Sequence, residues 1–134
     1  MNAYIRVMTE FAKFEGRLSR RDYWIFVLVT IGILIATVFI GGLLFNEELF
    51  MITYYAVIVV HFIPLISADV RRMHDIGKSG VWWFIRFVPL IGGIWFFILT
   101  LMDGDKGPNQ YGPDPRSADD SFARSDENIL DNQI

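Results

Sequence analysis

Residues 23–45, YWIFVLVTIGILIATVFIGGLLF, run for 23 positions without a charged side chain. An α-helix rises about 1.5 Å per residue, so this run is long enough to cross a hydrocarbon core of about 30 Å. A cleavable signal peptide would have a shorter apolar centre and a small-residue cleavage site, and neither precedes the acidic Asn46-Glu47-Glu48. The constraint is therefore a bilayer.

Two further runs fit the same solvent. Residues 49–67 form an apolar stretch of 19 with His61 and Pro64 near its end, and residues 81–102 form one of 22 interrupted by Arg86, Pro89 and Gly92-Gly93. We read them as three transmembrane helices, about 23–45, 49–67 and 81–102, in an all-α membrane protein. Pro89 and the glycine pair also permit a re-entrant hairpin over 81–102. Its halves of about 8–10 residues are too short to span separately, and re-entrant backbone needs protein or water around it. A kinked crossing is the favoured expectation. The apolar load agrees with membrane insertion: 53% hydrophobic residues, 12 Phe and 4 Trp in 134.

Upstream, Tyr4, Val7, Met8, Phe11 and Leu18 recur at helical spacing opposite Arg6, Thr9, Glu10 and Lys13. They predict an N-terminal amphipathic helix that lies on headgroups or packs on the bundle. Ser19 and Asp22 match a capping box for the first long helix, and Ser79 stands in the corresponding place before Trp82-Trp83. After Met102, DGDKGPNQYGPDP reads as a chain of turns, an irregular C-terminal tail. The domain expectation is one multi-pass membrane domain over 1–115 and a disordered polar tail over 116–134.

Charge sets the expected orientation. Residues 1–22 carry five basic residues against three acids, and a loop expected at 68–80 carries three against two, whereas the Asn46-Glu47-Glu48 turn has no Lys or Arg. Positive-inside counting then puts the N-terminus and loop 68–80 in the cytoplasm. With three crossings the tail, three basic and eight acidic residues over 103–134, falls on the far side.

Few chemical motifs survive inspection. GKS at 77–79 lacks the preceding glycine of a phosphate-binding loop, since position 72 is Arg72. No cysteine is present, which excludes disulfides and thiolate chemistry, and the two histidines are 13 positions apart. Asp103, Asp105 and Asp114 fall at positions 1, 3 and 12 of a calcium loop, but Pro108 occupies the obligatory glycine position. No metal, cofactor, catalytic residue or nucleic-acid partner is expected. The basic residues Arg17, Arg20, Arg21, Arg71, Arg72 and Lys78, with His74, form a candidate lipid- or anion-binding set. Its competing reading is a topogenic collar, with Asp22, Asp69 and Asp75 paired to the arginines. Arg86 is expected to snorkel to the headgroups or else to pair inward with Asp69 or a carbonyl. Together with His61 it makes a candidate intramembrane polar site, although His61 alone reads as a hydrogen-bonded packing residue.

Three ordered segments carry a family resemblance: FEGRLSRRDYWIF (14–26), RRMHDIGKSGVWW (71–83) and GDKGPNQYGPDP (104–115). Over about residues 11–115 the chain resembles the small bacterial inner-membrane proteins of the YhaH type, domain of unknown function 805. The matching positions are Gly16, Arg17, Arg20, Tyr23 and Trp24. They continue through Arg71, Arg72, His74, Asp75, Ser79, Trp82 and Trp83. The last set is Gly104, Gly107, Asn109, Tyr111, Gly112, Pro113, Asp114 and Pro115. Met73 stands where the pattern has Leu, and Arg86 lies outside it. The resemblance implies a multi-pass protein of the bacterial inner membrane and supplies no enzyme or substrate. The functional expectation is a binding or scaffolding protein whose basic face contacts anionic lipid headgroups or an acidic partner, with membrane lipids, self-association or another membrane protein as partners. The alternatives are a small oligomeric transporter lined by His61 and Arg86, and a membrane enzyme built on Arg72, His74 and Asp75.

Overall fold

The computed structural model describes residues 2–117, which are helical with no strand among them. Helix α1 (Ala3–Thr9) is capped by the Asn2 side chain. Helix α2 (Arg20–Leu44) begins at Ser19, whose hydroxyl accepts from the Asp22 N–H at 3.2 Å, as the capping-box pattern predicts. Helix α3 (Glu47–Asp75) is capped by Asn46. Both long helices are apolar enough to cross a membrane.

Residues 68–75, expected as part of a loop, instead extend α3 by two further turns. Their charges gave them a loop signature, but each charged group meets a partner from another segment, so a polar helix end can be buried. The connecting loop shrinks to Ile76–Ser79.

The third expected span is corrected more substantially. Residues 81–102 are not one helix: they fold as a 3-10 helix (Gly80–Phe87), a reversal, and a short helix α4 (Gly92–Leu101). Pro89 disfavours helical backbone at the residue before it, and Val88 is extended. Leu90 then takes φ +68°, and the Gly92 N–H closes the turn on the Val88 carbonyl at 3.0 Å. The two arms lie close together at Gly92, where a Cβ would come within 1.9 Å of the Ile85 carbonyl oxygen, so only glycine fits. The hairpin starts and finishes at the same end of α3. Gly80 lies against Val70, while the carbonyls of Thr100 and Met102 accept from Arg72. At about 15 Å, α4 is half as long as a helix that crosses a hydrocarbon core. Ser79 heads the 3-10 helix without making the expected side-chain cap.

Two small cores flank α3 at this end. Val7, Leu18, Tyr23, Phe26 and Ala68 form one, which seats α1 on the bundle; Met73, Ile76, Phe96 and Leu99 form the other, which seats the hairpin. Segment 103–116, expected on the far side after a third crossing, packs back onto Gly16, Arg17 and Asp75. The expected disordered tail lies, from 118 onward, outside the described residues.

Candidate functional site

Most of the polar residues singled out from the sequence, His61 excepted, lie at the Asp75 end of α3. Six residues separate Asp69 from Asp75, and each carboxylate gathers its own set of donors. Asp69, 2% exposed, accepts from the Tyr23 hydroxyl at 2.8 Å and the Trp83 indole N–H at 3.0 Å, and pairs with Arg86 at 2.7 Å. Arg86 therefore turns inward, with its guanidinium 3.7 Å from the Phe96 ring centroid. Asp75 pairs with Arg17 at 3.0 Å and with Arg72 at 2.5 Å. Arg72 is wholly buried and spends its other donors on the Thr100 and Met102 carbonyls. A buried guanidinium is costly unless charge and hydrogen bonds are both met, and for Arg72 they are, whereas the buried Arg71 leaves Nε and Nη2 without a partner among the described residues.

Segment 104–116 clasps this network from outside. Gly104 sits so near Asp75 that a Cβ would approach its carboxylate oxygen to 2.1 Å, and the Asp105 N–H donates to the Asp75 carbonyl at 2.8 Å. Arg17 donates to the carbonyls of Gly107 at 2.6 Å and Asp105 at 2.5 Å. The rings of His74 and Tyr111 stack at 3.9 Å with an interplanar angle of 2°, and His74 Nδ1 donates to the Gly16 carbonyl at 3.1 Å. Desolvation lowers the His74 pKa from its ordinary 6.5. Arg116 grips Asp114 at 2.9 Å, holding that carboxyl well below the usual carboxylate range.

Of the predicted anion-binding set, then, the fold engages Arg17 and Arg72 internally and stacks His74. Arg71 is buried and pairs with Glu10 at 2.7 Å, and Lys78 lies 4.4 Å over the Trp82 ring. Arg20 and Arg21 stay exposed. Arg20 meets Asp103 at 2.9 Å, and Arg21 makes no ion pair among the described residues. His61 and Arg86 have separate partners: His61 Nδ1 donates to the Val57 carbonyl at 2.8 Å and its Nε2 accepts from the Tyr4 hydroxyl at 2.8 Å.

Arg20 and Arg21 open onto a cleft of about 410 Å³ that also includes Asp75, Asp103, Gly104 and Arg116. Arg116 was not among the residues picked from the sequence; it lies in a segment read as a polar tail, and only the return of that segment brings it to the cleft. The groups lining the cleft and their direct ion-pair partners comprise five guanidiniums (Arg17, Arg20, Arg21, Arg72, Arg116) and three carboxylates (Asp75, Asp103, Asp114). Two positive charges are left over. Below this cleft, between α2 and α4, runs an apolar groove of about 420 Å³ lined by Trp24, Val27, Ile31, Gly93, Phe96 and Phe97, with Tyr23, Arg86 and Thr100 at its margin. The described residues contain no cluster of His, Asp and Glu suited to a metal ion.

Comparison with known proteins gives a consistent result. The family model described as "Protein of unknown function (DUF805)" matches residues 11–113. Inner membrane protein YhaI of Escherichia coli (strain K12) is 32% identical over 116 residues, covering 87% of this chain and 97% of the relative. Inner membrane protein YhaH of the same organism is 32% identical over 124 residues, covering 87% of this chain and 98% of the relative. No solved structure matches the chain.

Proposed function

The chain belongs to the DUF805 family, and from that membership we propose that it is an inner-membrane binding protein whose basic face holds anionic lipid headgroups. Its place in the inner membrane is supported by the named relatives and by the two long apolar helices. In this reading α2 and α3 cross the bilayer, and the 80–102 hairpin dips in and returns. The N-terminal segment, loop 76–79 and clasp 103–117 then share one face. That face is cytoplasmic by the positive-inside rule, since the opposite turn carries Glu47 and Glu48 and no Lys or Arg. A broken, half-depth hairpin is admissible because α3 and the clasp satisfy its ends.

The observation that carries the binding function is the charge surplus at the Arg20–Arg21–Arg116 cleft, which lies at the level where headgroups meet α2. Basic groups there contribute about 1 kcal/mol each toward an anionic surface. The test is lipid analysis after isolation from nanodiscs made of mixed anionic and zwitterionic phospholipid. Wild type is expected to enrich the anionic lipid, and the Arg20→Glu plus Arg21→Glu variant to lose that enrichment. Equal enrichment in both would remove the reading. Because the chain has no native cysteine, single cysteines at positions 2 and 105 report the topology directly. Labelling of both from one side is expected, and labelling from opposite sides would restore a third crossing.

A further inference from the structure

The basic cleft and the apolar groove share one face of α2. Arg20, Trp24, Val27 and Ile31 recur at helical spacing and form a stripe. Gly93, Phe97 and Thr100 form the facing stripe of α4. The two helices touch at the upper end, where Trp24 Nε1 donates to the Thr100 carbonyl at 3.3 Å, Trp24 meets Phe97 edge-on at 5.6 Å, and Arg20 reaches the Leu101 carbonyl at 3.1 Å. Beyond that contact they leave an open channel, with Gly93 contributing no side chain and nothing within 4 Å of where its Cβ would be.

We infer that cleft and groove form one site for a single anionic phospholipid, with the phosphate at Arg20, Arg21 and Arg116 and one acyl chain along the α2–α4 groove. This rests on the headgroup reading above and adds to it a defined chain-binding slot. Charge complementarity selects the occupant: a surplus of positive charge stands at one end only, and the remainder of the channel is apolar. Arg86, the one charged group lining the groove, is already paired with Asp69 and covered by Phe96, so it does not call for a second anion. Length agrees as well. Arg20 to Ile31 is eleven residues, about 16 Å of helix, which is the hydrocarbon depth of one leaflet.

The site is tested by filling the groove without touching the arginines. Gly93→Phe puts a ring into the open channel, and the space around the Cβ position keeps the fold intact, which an unchanged thermal midpoint verifies. Native mass spectrometry of the full chain in mild detergent is expected to show one retained long-chain phosphatidylglycerol on wild type. Retention should fall roughly tenfold or more on Gly93→Phe, the scale on which a hydrophobic pocket discriminates. Binding of dibutyryl phosphatidylglycerol, whose chains are too short for the groove, should be unchanged by Gly93→Phe and weakened by Arg21→Glu. Full long-chain retention on Gly93→Phe would overturn the slot while leaving the headgroup reading standing. Arg21→Glu binding both lipids as wild type does would overturn the two together. A dimer that becomes monomeric on Gly93→Phe with lipid retention unchanged would give the groove to a second copy and also overturn the inference.

Discussion

At the end of the α2–α3 pair that holds Ser19 and Asp75, buried side chains include three arginines and two aspartates; Arg72 pairs with Asp75 on its own helix, and every other charge meets a partner from another segment. At the other end, between Ile31 and Val60, the one buried residue is Gly41, pressed against Phe50. Phe39 is 69% exposed, Leu43 82% and Val59 70%. One end is specified by directional bonds and close steric fits; the other presents an apolar surface, which the proposed membrane reading leaves to lipid. Hydrophobic burial between helices gives little inside a bilayer, where lipid tails are as apolar as Leu. In the proposed reading directional polar contacts therefore carry the specificity, and they are concentrated at the Asp75 end of α3. The arginines of the sequence motifs are, on this view, mostly framework, and the binding face is the residue of charge that the framework does not neutralise.

The largest effect that tests this contrast comes from splitting the Arg17–Asp75–Arg72 set. Arg72→Ala leaves Asp75 short of a partner and the Thr100 and Met102 carbonyls short of a donor. The expected loss is about 3–5 kcal/mol of stability, or failure to fold, in a detergent thermal-unfolding series. A loss near that of an exposed residue would mean the polar end is not the specifying one. Gly104→Ala follows, because its Cβ has no room beside the Asp75 carboxylate. An overpacking cost of about 1–3 kcal/mol is expected, with hydrogen exchange rising first at 104–112.

How much of this was legible beforehand differs by region. The α2 start, the two long apolar helices and the first turns of the N-terminal helix follow from spacing, capping and run length, which are local properties. The spacing carried that helix on to Phe11 and Leu18, but α1 stops at Thr9, Phe11 is exposed and Leu18 lies beyond the helix. The extension of α3 through Val70-Arg71-Arg72 was hidden because a charge reads as solvent-facing until its partner is known, and the partners that Arg71 and Arg72 find in other segments are 28–61 residues away in sequence. The reversal at Pro89 was visible as a possibility. What decided it, the return of Thr100 and Met102 to Arg72, is a tertiary contact with no local signature. Arg116 reached the cleft by the same unseen route.

A smaller effect separates the clasp from the network beneath it. Burial lowers the His74 pKa, so at mildly acid pH His74 binds a proton when the clasp is undocked and resists it when the clasp is docked. Docking is then fully favoured above about pH 6.5, the ordinary histidine value, and weakens as pH falls below it. Asp114 is held low by Arg116, so its contribution is lost only as pH falls below its ordinary 3.8. Burial also pushes the Asp75 carboxyl up from its ordinary 3.8, so the His74 share of the response is isolated by substitution. Protection of the 105–112 amides, measured against the intrinsic base-catalysed exchange rate at each pH, should therefore fall from pH 7 to pH 5 in wild type. His74→Phe keeps the ring stack on Tyr111 and removes the titrating group, so its exchange should lose the excess pH dependence. An identical pH response in that variant would assign the loosening elsewhere.

The smallest expected effect is at the far end. Leu43→Ala removes an exposed side chain from α2, and its neighbours lose no packing. In detergent the change in stability should stay within about 0.5 kcal/mol, the range of substitutions away from any structural feature. The inference has force because the same apolar chemistry behaves differently at the other end, where Leu99 is 4% exposed and packs with Met73 and Phe96. Leu99→Ala should cost about 2–5 kcal/mol by leaving a cavity. If the two truncations cost the same, the bare half of the α2–α3 pair is covered by protein, and the division of labour between bilayer and polar network would have to be redrawn around that cover.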